Sequence, residues 1–447
     1  MQAEQPYIDL YRQLTGTINE TCGTLMNEPR DAAMAAFEKS GFPDPETEAY
    51  RHCDLREEFS YDYGLNLKRI HIPSNPHDVF SCDVPNLSTK LFFIINDQFY
   101  KGERNASLPE GVLCGSLNDY SRSHADLLKP YFTKLSAASS DGLVSLNTGF
   151  VQDGLVLYVP ANVQIEKPIQ IIQILQGPED MMVQRRVLII MEEGAQARVL
   201  FCDHTLSPNR FFSNQVTELF LGKGANLEYY ELEMSHNRTT RVANTFVSQS
   251  EGSGLLMNGV TLNNGKTRNN INVTLNGEHA EANLSGIVLG EQSQFADNHI
   301  LVKHIAPYCN SNQLFKYVLD DSAKGIFAGS IVVSKGAQKT NAYQSNKNLC
   351  SKNALMLAQP QLEIYADDVK CSHGTATGQM DENALFYIRS RGISETEARL
   401  LLKYAFTSDV IDKISLVPLR DRMRMLVEKR FRGELAKCAG CTADKCV

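Results

Sequence analysis

A thiol and an imidazole stand two residues apart at Cys371 and His373, inside the stretch QPQLEIYADDVKCSHGTATGQMDENALFYIRSRG that runs from Gln359 to Gly392. Residues i and i+2 of an extended strand point to the same face. Leu362, Ile364 and Val369 mark the segment as strand, so the two side chains project together, where strand-like sequence gives way to helix-like sequence. Sulfur beside imidazole suits iron or zinc. Two donors cannot fill a tetrahedral site, so further ligands would have to come from elsewhere, another chain included. On a regular strand Asp367 shares that face and offers a hard oxygen or a proton acceptor, while Asp368 points away. The plain alternative is a buried cysteine beside a hydrogen-bonded histidine at a strand end.

Other candidates carry less. Cys438, Cys441 and Cys446 form C-x2-C-x4-C near the C-terminus, a weak metal candidate with no evident fourth ligand and an equally good reading as incidental tail cysteines. Gly265-Lys266-Thr267 resembles the end of a Walker A loop, but that motif needs glycine at 260, where this chain has Val260. The sequence after it reads as strand, so the helix N-terminus that would hold phosphate is missing. His299 and His304 are five apart, which in a strand sends them to opposite faces; with Cys309 nearby, core or surface roles fit better than joint ligation. No carboxylate pair stands out.

The composition excludes several classes of function. A net charge of −8 over 447 residues argues against nucleic acid, which calls for a clustered basic face. No apolar run approaches the roughly 20 residues needed to span a bilayer. The start, MQAEQPYIDLYRQ, shows no signal peptide, and eleven cysteines in such a chain read as reduced thiols, so a cytoplasmic protein is expected.

The elements that must position Cys371 and His373 divide the chain into an N-terminal helical segment (1–60), a mixed lead-in (61–142), a β core (143–378) and a C-terminal helical region with the cysteine tail (379–447). Asp31–Lys39 is rich in helix formers and Gly41 supplies a stop. LNLKRIHI and KLFFIIN read as strands, and 123–138 as a short helix. From about Leu143 to Val369 nearly everything is short strand, separated by small-residue turns such as EEGA at Glu192, GKGA at Gly222 and SKGA at Ser334. Long helices between the strands are missing, so Rossmann and TIM-barrel folds fail. A solenoid fits best, although no strict period is visible. Eight asparagines between Asn258 and Asn283 suit stacks at solenoid corners. Beyond Asp381, a plausible N-cap, the period becomes helical. Ser394 with Glu397 makes a capping box before Ala398, Leu401, Leu402 and Ala405, and Pro418 opens a basic last helix.

These phrases also carry a family resemblance. The Gln359–Gly392 segment, KYVLDDSAKGIFAGSIVVSKGAQKTNAYQSNKNL (Lys316–Leu349), the preceding APYCNSNQLFKYVL and the more distant SGFPDPETEAYRHCDL resemble the SufD subunits of the SufB/SufD family, part of the SUF system for iron–sulfur cluster assembly. The resemblance is strong from about His304 to Phe406. SufB subunits carry His-Glu-Ala-Thr where this chain has Cys371-Ser372-His373-Gly374, which favours the SufD type.

The resemblance implies a mainly β fold, a right-handed parallel β-helix flanked by N- and C-terminal helical segments. It implies a non-catalytic scaffold that pairs with a SufB-type subunit through the β-helices, each subunit binding a SufC-type ATPase through C-terminal helices. Cys371 and His373 fall on the family's Cys-x-His, candidate nascent-cluster ligands at the SufB interface. Arg391, Gly392 and Ile393, with Ala398, Leu401, Leu402 and Ala405 on the next helix, match the SufC-docking region. No cofactor is expected to stay on the isolated chain; a transient iron–sulfur cluster belongs to the complex, which also has room for flavin. The SufB-facing surface would let the isolated chain pair with itself. Rival readings are a β-solenoid carbohydrate-active enzyme, which would need converging acidic residues along a groove, and a purely structural adaptor.

Overall fold

The computed structural model describes residues 3–67, 69, 76, 88–102 and 107–434. The chain opens on α1 (Gln5–Thr21), α2 (Thr24–Asn27) and α3 (Arg30–Ser40). Gly41 ends α3 at φ 68°, its N–H donating to Phe37 O, as the glycine stop predicts. The lead-in contributes β1 (Lys90–Ile95), β2 (Gln98–Phe99), β3 (Leu113–Ser116), α4 (Leu117–Ser123), α5 (Ala125–Leu128) and α6 (Gly142–Phe150). The helix expected over 123–138 is therefore one four-residue helix, α5, and a 3-10 turn at Ser136–Ala138, with α4 ending at Ser123. The run at 65–72 lies in part outside the described residues. GLVSLNTGF, read as the start of the strands, is helical because Asp141 caps it, its side chain accepting from Leu143 N at 2.8 Å.

Sixteen strands then follow in order: β4 (Leu155–Val159), β5 (Ile169–Leu175), β6 (Met181–Met191), β7 (Gln196–Thr205), β8 (Phe211–Leu221), β9 (Asn226–Met234), β10 (Thr239–Gln249), β11 (Gly254–Asn263), β12 (Lys266–Leu275), β13 (Glu281–Gly290), β14 (Phe295–His304), β15 (Asn310–Leu319), β16 (Lys324–Val333), β17 (Asn341–Cys350), β18 (Leu355–Ile364) and β19 (Lys370–Gly378). Successive strands alternate between two sheets, in the orders β19-β17-β15-β13-β11-β9-β7-β5-β1-β2 and β18-β16-β14-β12-β10-β8-β6-β4-β3. β3 pairs antiparallel with β4, but every pairing among β4 to β19 is parallel, which makes a β-solenoid of about eight turns.

Coil length explains the missing period. Thr240 pairs with Lys266, 26 residues on, whereas Asn310 pairs with Asn341, 31 residues on. Turn residues absorb the variation and the strands stay near ten residues. At one corner Gly194, Gly224 and Gly252 take φ of 66°, 64° and 65°, and each N–H donates to the next coil at 2.8 Å. The asparagines are mostly not corner residues. Asn270 donates to Asn244 Oδ1 and Asn269 to Asn298 Oδ1, both at 2.9 Å, along the strand faces; Asn264 and Asn276 do sit at turns. Parallel strands one coil apart place like positions side by side, so amide ladders form within the sheets.

Three large apolar clusters among the described residues carry most of the packing. The bore is packed by alternate residues such as Leu157, Ile171, Ile189, Phe201 and Tyr229. The N-terminal helices cover the outer face of the β4–β10 side through Val156, Leu188, Ile190 and Phe212. The C-terminal helices α7 (Glu382–Ser390), α8 (Glu395–Ile411) and α9 (Val417–Phe431) follow β19, and α8 and α9 cover the other sheet, where Val410, Ile411, Met423 and Leu426 meet Ile172, Leu200, Tyr230 and Leu289. Strand β6 is consequently buried at all eleven positions, as expected where both faces of a parallel sheet are covered. Strand β19, at the last edge, is exposed at all but one of nine.

Candidate functional site

Cys371 and His373 lie within β19, whose residues pair with β17: Cys371 with Ala342, Ser372 with Tyr343, His373 with Gln344 and Thr375 with Asn346. The strand continues to Gly378, so the pair is not at the strand-to-helix junction that the sequence suggested. Strand alternation does put them on one face, and that face is the bore. Cys371 ends the column Leu255–Ala282–Ser311–Ala342, and His373 ends Met257–Leu284–Gln313–Gln344. Ala342 is 3 % exposed and Gln344 0 %, whereas His373 is exposed and Cys371 half-buried. Among the described residues no further coil follows β19, so interior positions become a surface.

Cys371 retains part of the core, packing with Ile331, Val333, Ala342 and Leu362. Burial pushes its thiol pKa up, partly offset by a hydrogen bond from the Ala342 backbone. Beside it a groove of about 480 Å³ is lined by Asn310, Asn312, Asn341, Tyr343 and Lys370. Beneath His373 the bore changes character. Gln344 Nε2 donates to Gln313 Oε1 at 2.9 Å, Asn348 Nδ2 to Asn346 Oδ1 at 2.7 Å and to Thr377 Oγ1 at 3.0 Å, and Thr375 Oγ1 to Asn346 Oδ1 at 3.3 Å. A polar end therefore replaces the apolar packing of the early coils.

Asp367 does not join this face. Residues 365–369 form the turn between β18 and β19, which interrupts the alternation, and Asp368 is tied there by an ion pair with Lys339. Among the described residues no group of three or more His, Cys, Asp or Glu is placed to hold a metal ion. Cys371 and His373 can supply two donors and no more. Gly265-Lys266-Thr267 leads into β12, not a helix, so the phosphate reading stays excluded. His299 faces outward with Nε2 3.1 Å from Asp297 Oδ1, and His304 faces the bore 2.9 Å from Ser311 Oγ, the opposite faces their spacing required. Cys438, Cys441 and Cys446 lie outside the described residues.

In the C-terminal helices, Asp381 caps α7 by accepting from Asn383 and Ala384 N–H groups, and Ser394 caps α8 by accepting from Glu397 N at 3.3 Å. Arg391 and Gly392 are exposed at the α7–α8 junction, with Gly392 at φ 89° and Ile393 half-buried. Arg391 donates to Tyr387 OH at 2.8 Å. The stripe read from Ala398, Leu401, Leu402 and Ala405 is not the buried one. Ala398 is buried, Leu402 half-buried, and Leu401 and Ala405 exposed, because α8 docks through Leu400, Thr407, Val410 and Ile411. The junction also exposes Phe386 at 73 % and Tyr387 at 59 %, which sequence reasoning missed. Consecutive aromatics on a helix of 3.6 residues per turn diverge by about 100°, and that was the available signal.

Sequence comparison agrees with this architecture. The SufBD core domain of the SUF system for FeS cluster assembly matches residues 173–406, and the SufBD protein N-terminal region matches residues 1–171. A SufBD family iron–sulfur cluster assembly protein of Synechocystis sp. is 30% identical over 424 residues, covering 92% of this chain and 93% of the relative. The iron–sulfur cluster assembly protein SufD of Bacillus subtilis is 27% identical over 329 residues (72% and 75% of the two chains), and that of Escherichia coli 29% over 271 residues (60% and 64%). The chain belongs to the SufBD family of iron–sulfur cluster assembly proteins.

Proposed function

We propose that this chain is a non-catalytic scaffold subunit that builds iron–sulfur clusters together with a SufB-type subunit and a SufC-type ATPase. The cluster is its cargo. His373, with Cys371 as the less central partner, would ligate iron or relay protons at the junction with the SufB-type subunit. The observation that carries the reading is that both residues occupy interior positions of a coil on which, among the described residues, no further coil is stacked. Half of a ligand set, facing outward at an open solenoid end, fits a site completed by a second chain.

The edges favour the same partner geometry. Strands β18 and β19 end their sheets, and their unpaired backbone groups invite strand addition. Tyr343, Leu355, Ile364 and Tyr365 are exposed around that end, at 52, 47, 42 and 63 %. The SufC-type ATPase would engage the α7–α8 junction through Phe386, Tyr387, Arg391 and Leu401, with Ala398 serving packing within the chain. The test is His373→Ala in the reconstituted complex. Cluster formation should be lost with the complex intact; unimpaired assembly would sink the assigned role. Co-purification with a SufC-type ATPase separates this reading from a free-standing enzyme or adaptor.

A further inference from the structure

We propose that Gln344 is a positioning residue for His373: its side-chain carbonyl accepts the inward ring N–H and fixes the tautomer whose other nitrogen faces the open end. The inference rests on the reading of His373 as this chain's ligand there. Gln344 and His373 are Cα partners in neighbouring parallel strands, on the bore face. Strands at that pairing lie about 4.8 Å apart, within reach of one side-chain hydrogen bond.

The polar accounting points the same way. Gln344 and Gln313 are both 0 % exposed, and the Gln344 amide N–H is spent on Gln313 Oε1 at 2.9 Å. That leaves Gln344 Oε1 buried with no donor among the described residues. A buried amide oxygen in that state is costly, and the next position along the column is His373. In this structure the exposed His373 ring makes no hydrogen bond to that oxygen, so the contact calls for a turn of the ring onto the column. A neutral imidazole carries one N–H and one lone pair, so donating inward commits the lone pair outward. Metal-ligating histidines are commonly held by such a partner on the second nitrogen.

Room for the amide is built into the opposite sheet. A Cβ at Gly329 would lie 2.2 Å from Gln344 Nε2 and 2.6 Å from its Cδ. Gly329→Ala therefore displaces the amide without altering Gln344 itself.

The experiment is ring-nitrogen NMR of the full chain with ¹⁵N-labelled histidine, at a pH where the imidazole is neutral, with His373 assigned by its absence in His373→Gln. The wild type should show one tautomer favoured by roughly five- to tenfold, the bias one ordinary hydrogen bond supplies. Gln344→Met and Gly329→Ala should remove the bias, and Gln344→Glu, which keeps an oxygen acceptor, should restore it. An unbiased wild type, or a bias that survives in folded Gln344→Met, overturns the proposal. If Gln344→Met does not fold, the contrast between Gly329→Ala and Gln344→Glu decides the same question. A harmless His373→Ala in the assembly assay would remove the functional reading and leave this contact standing, so the two can fail separately.

Discussion

Arg185, Asp203, Glu233 and Arg241 occupy interior positions on β6, β7, β9 and β10, and Cys371 and His373 occupy the same kind of position on β19. The middle set is enclosed and internally matched. Arg185 Nη1 lies 2.5 Å from Asp203 Oδ1, Arg241 Nε 3.4 Å from Asp203 Oδ2, and Glu233 accepts from Ser235, Thr261 and Thr267 at 3.0, 3.2 and 2.7 Å. Burial pushes the Glu233 carboxyl pKa up, and Arg241 opposes that shift. On the last coil Cys371 and His373 have no charged partner among the described residues. Charge inside a sealed solenoid is structural; donors at its mouth are open to the surroundings.

The largest effect should come from breaking the sealed set. Asp203→Ala leaves two guanidinium groups, 1 % and 4 % exposed at the side chain, without their shared counter-ion. Removing one partner of a buried pair costs about 3–5 kcal/mol, and urea unfolding should show it. A loss under about 1 kcal/mol would mean that water reaches the middle of the bore, and the contrast with the open end would collapse.

Next comes His304, wholly buried between the sheets, whose pKa burial lowers to about 4. The unfolded chain takes up this proton below about pH 6.5 while the folded chain resists it until about pH 4, so stability falls as pH drops through that window. Between pH 7 and pH 4.5 the loss should be roughly 2–3 kcal/mol, and His304→Gln should flatten that part of the curve. A parallel fall in wild type and variant would show that other groups govern acid unfolding.

Cys371 tests the mouth itself. Half-buried, with its thiol pKa raised by burial, it should alkylate more slowly than a free thiol but faster than the buried Cys202 and Cys309. Adding the SufB-type subunit should protect it. Peptide mass spectrometry reads the rates, and unchanged Cys371 labelling in the complex would move the interface elsewhere.

The contrast between sealed and open coils was only partly legible in the chain. Strand-sized runs and small-residue turns reveal a solenoid, because each strand's alternation is local. Coil length is not local: a spacing that drifts from 26 to 31 residues hides the register, and the register is what puts His373 over Gln344. Asp203 could be suspected from Val199, Phe201 and Asp203 alternating on one strand, but its partners Arg185 and Arg241 come from the facing sheet. The helix α8 misled for a related reason. Its apolar spacing from Ala398 to Ala405 is genuine, but its C-terminal half does the docking, a choice made by the sheet beneath it.

The smallest expected change in stability is the most telling. His373 is exposed, and its one inferred contact within the coil is a single ordinary hydrogen bond to Gln344, so His373→Ala should alter unfolding free energy by no more than about 1 kcal/mol. Asp203→Ala, also at an interior-facing position, should cost several times that. If His373→Ala were as destabilising, the imidazole would be part of the fold, and its exposure at the solenoid mouth would need another explanation. If it is silent in unfolding and damaging in cluster assembly, the residue is retained for what it meets outside the chain. Paired measurements on one variant thus separate a structural end-cap from a contributed ligand, without reference to how well either element packs.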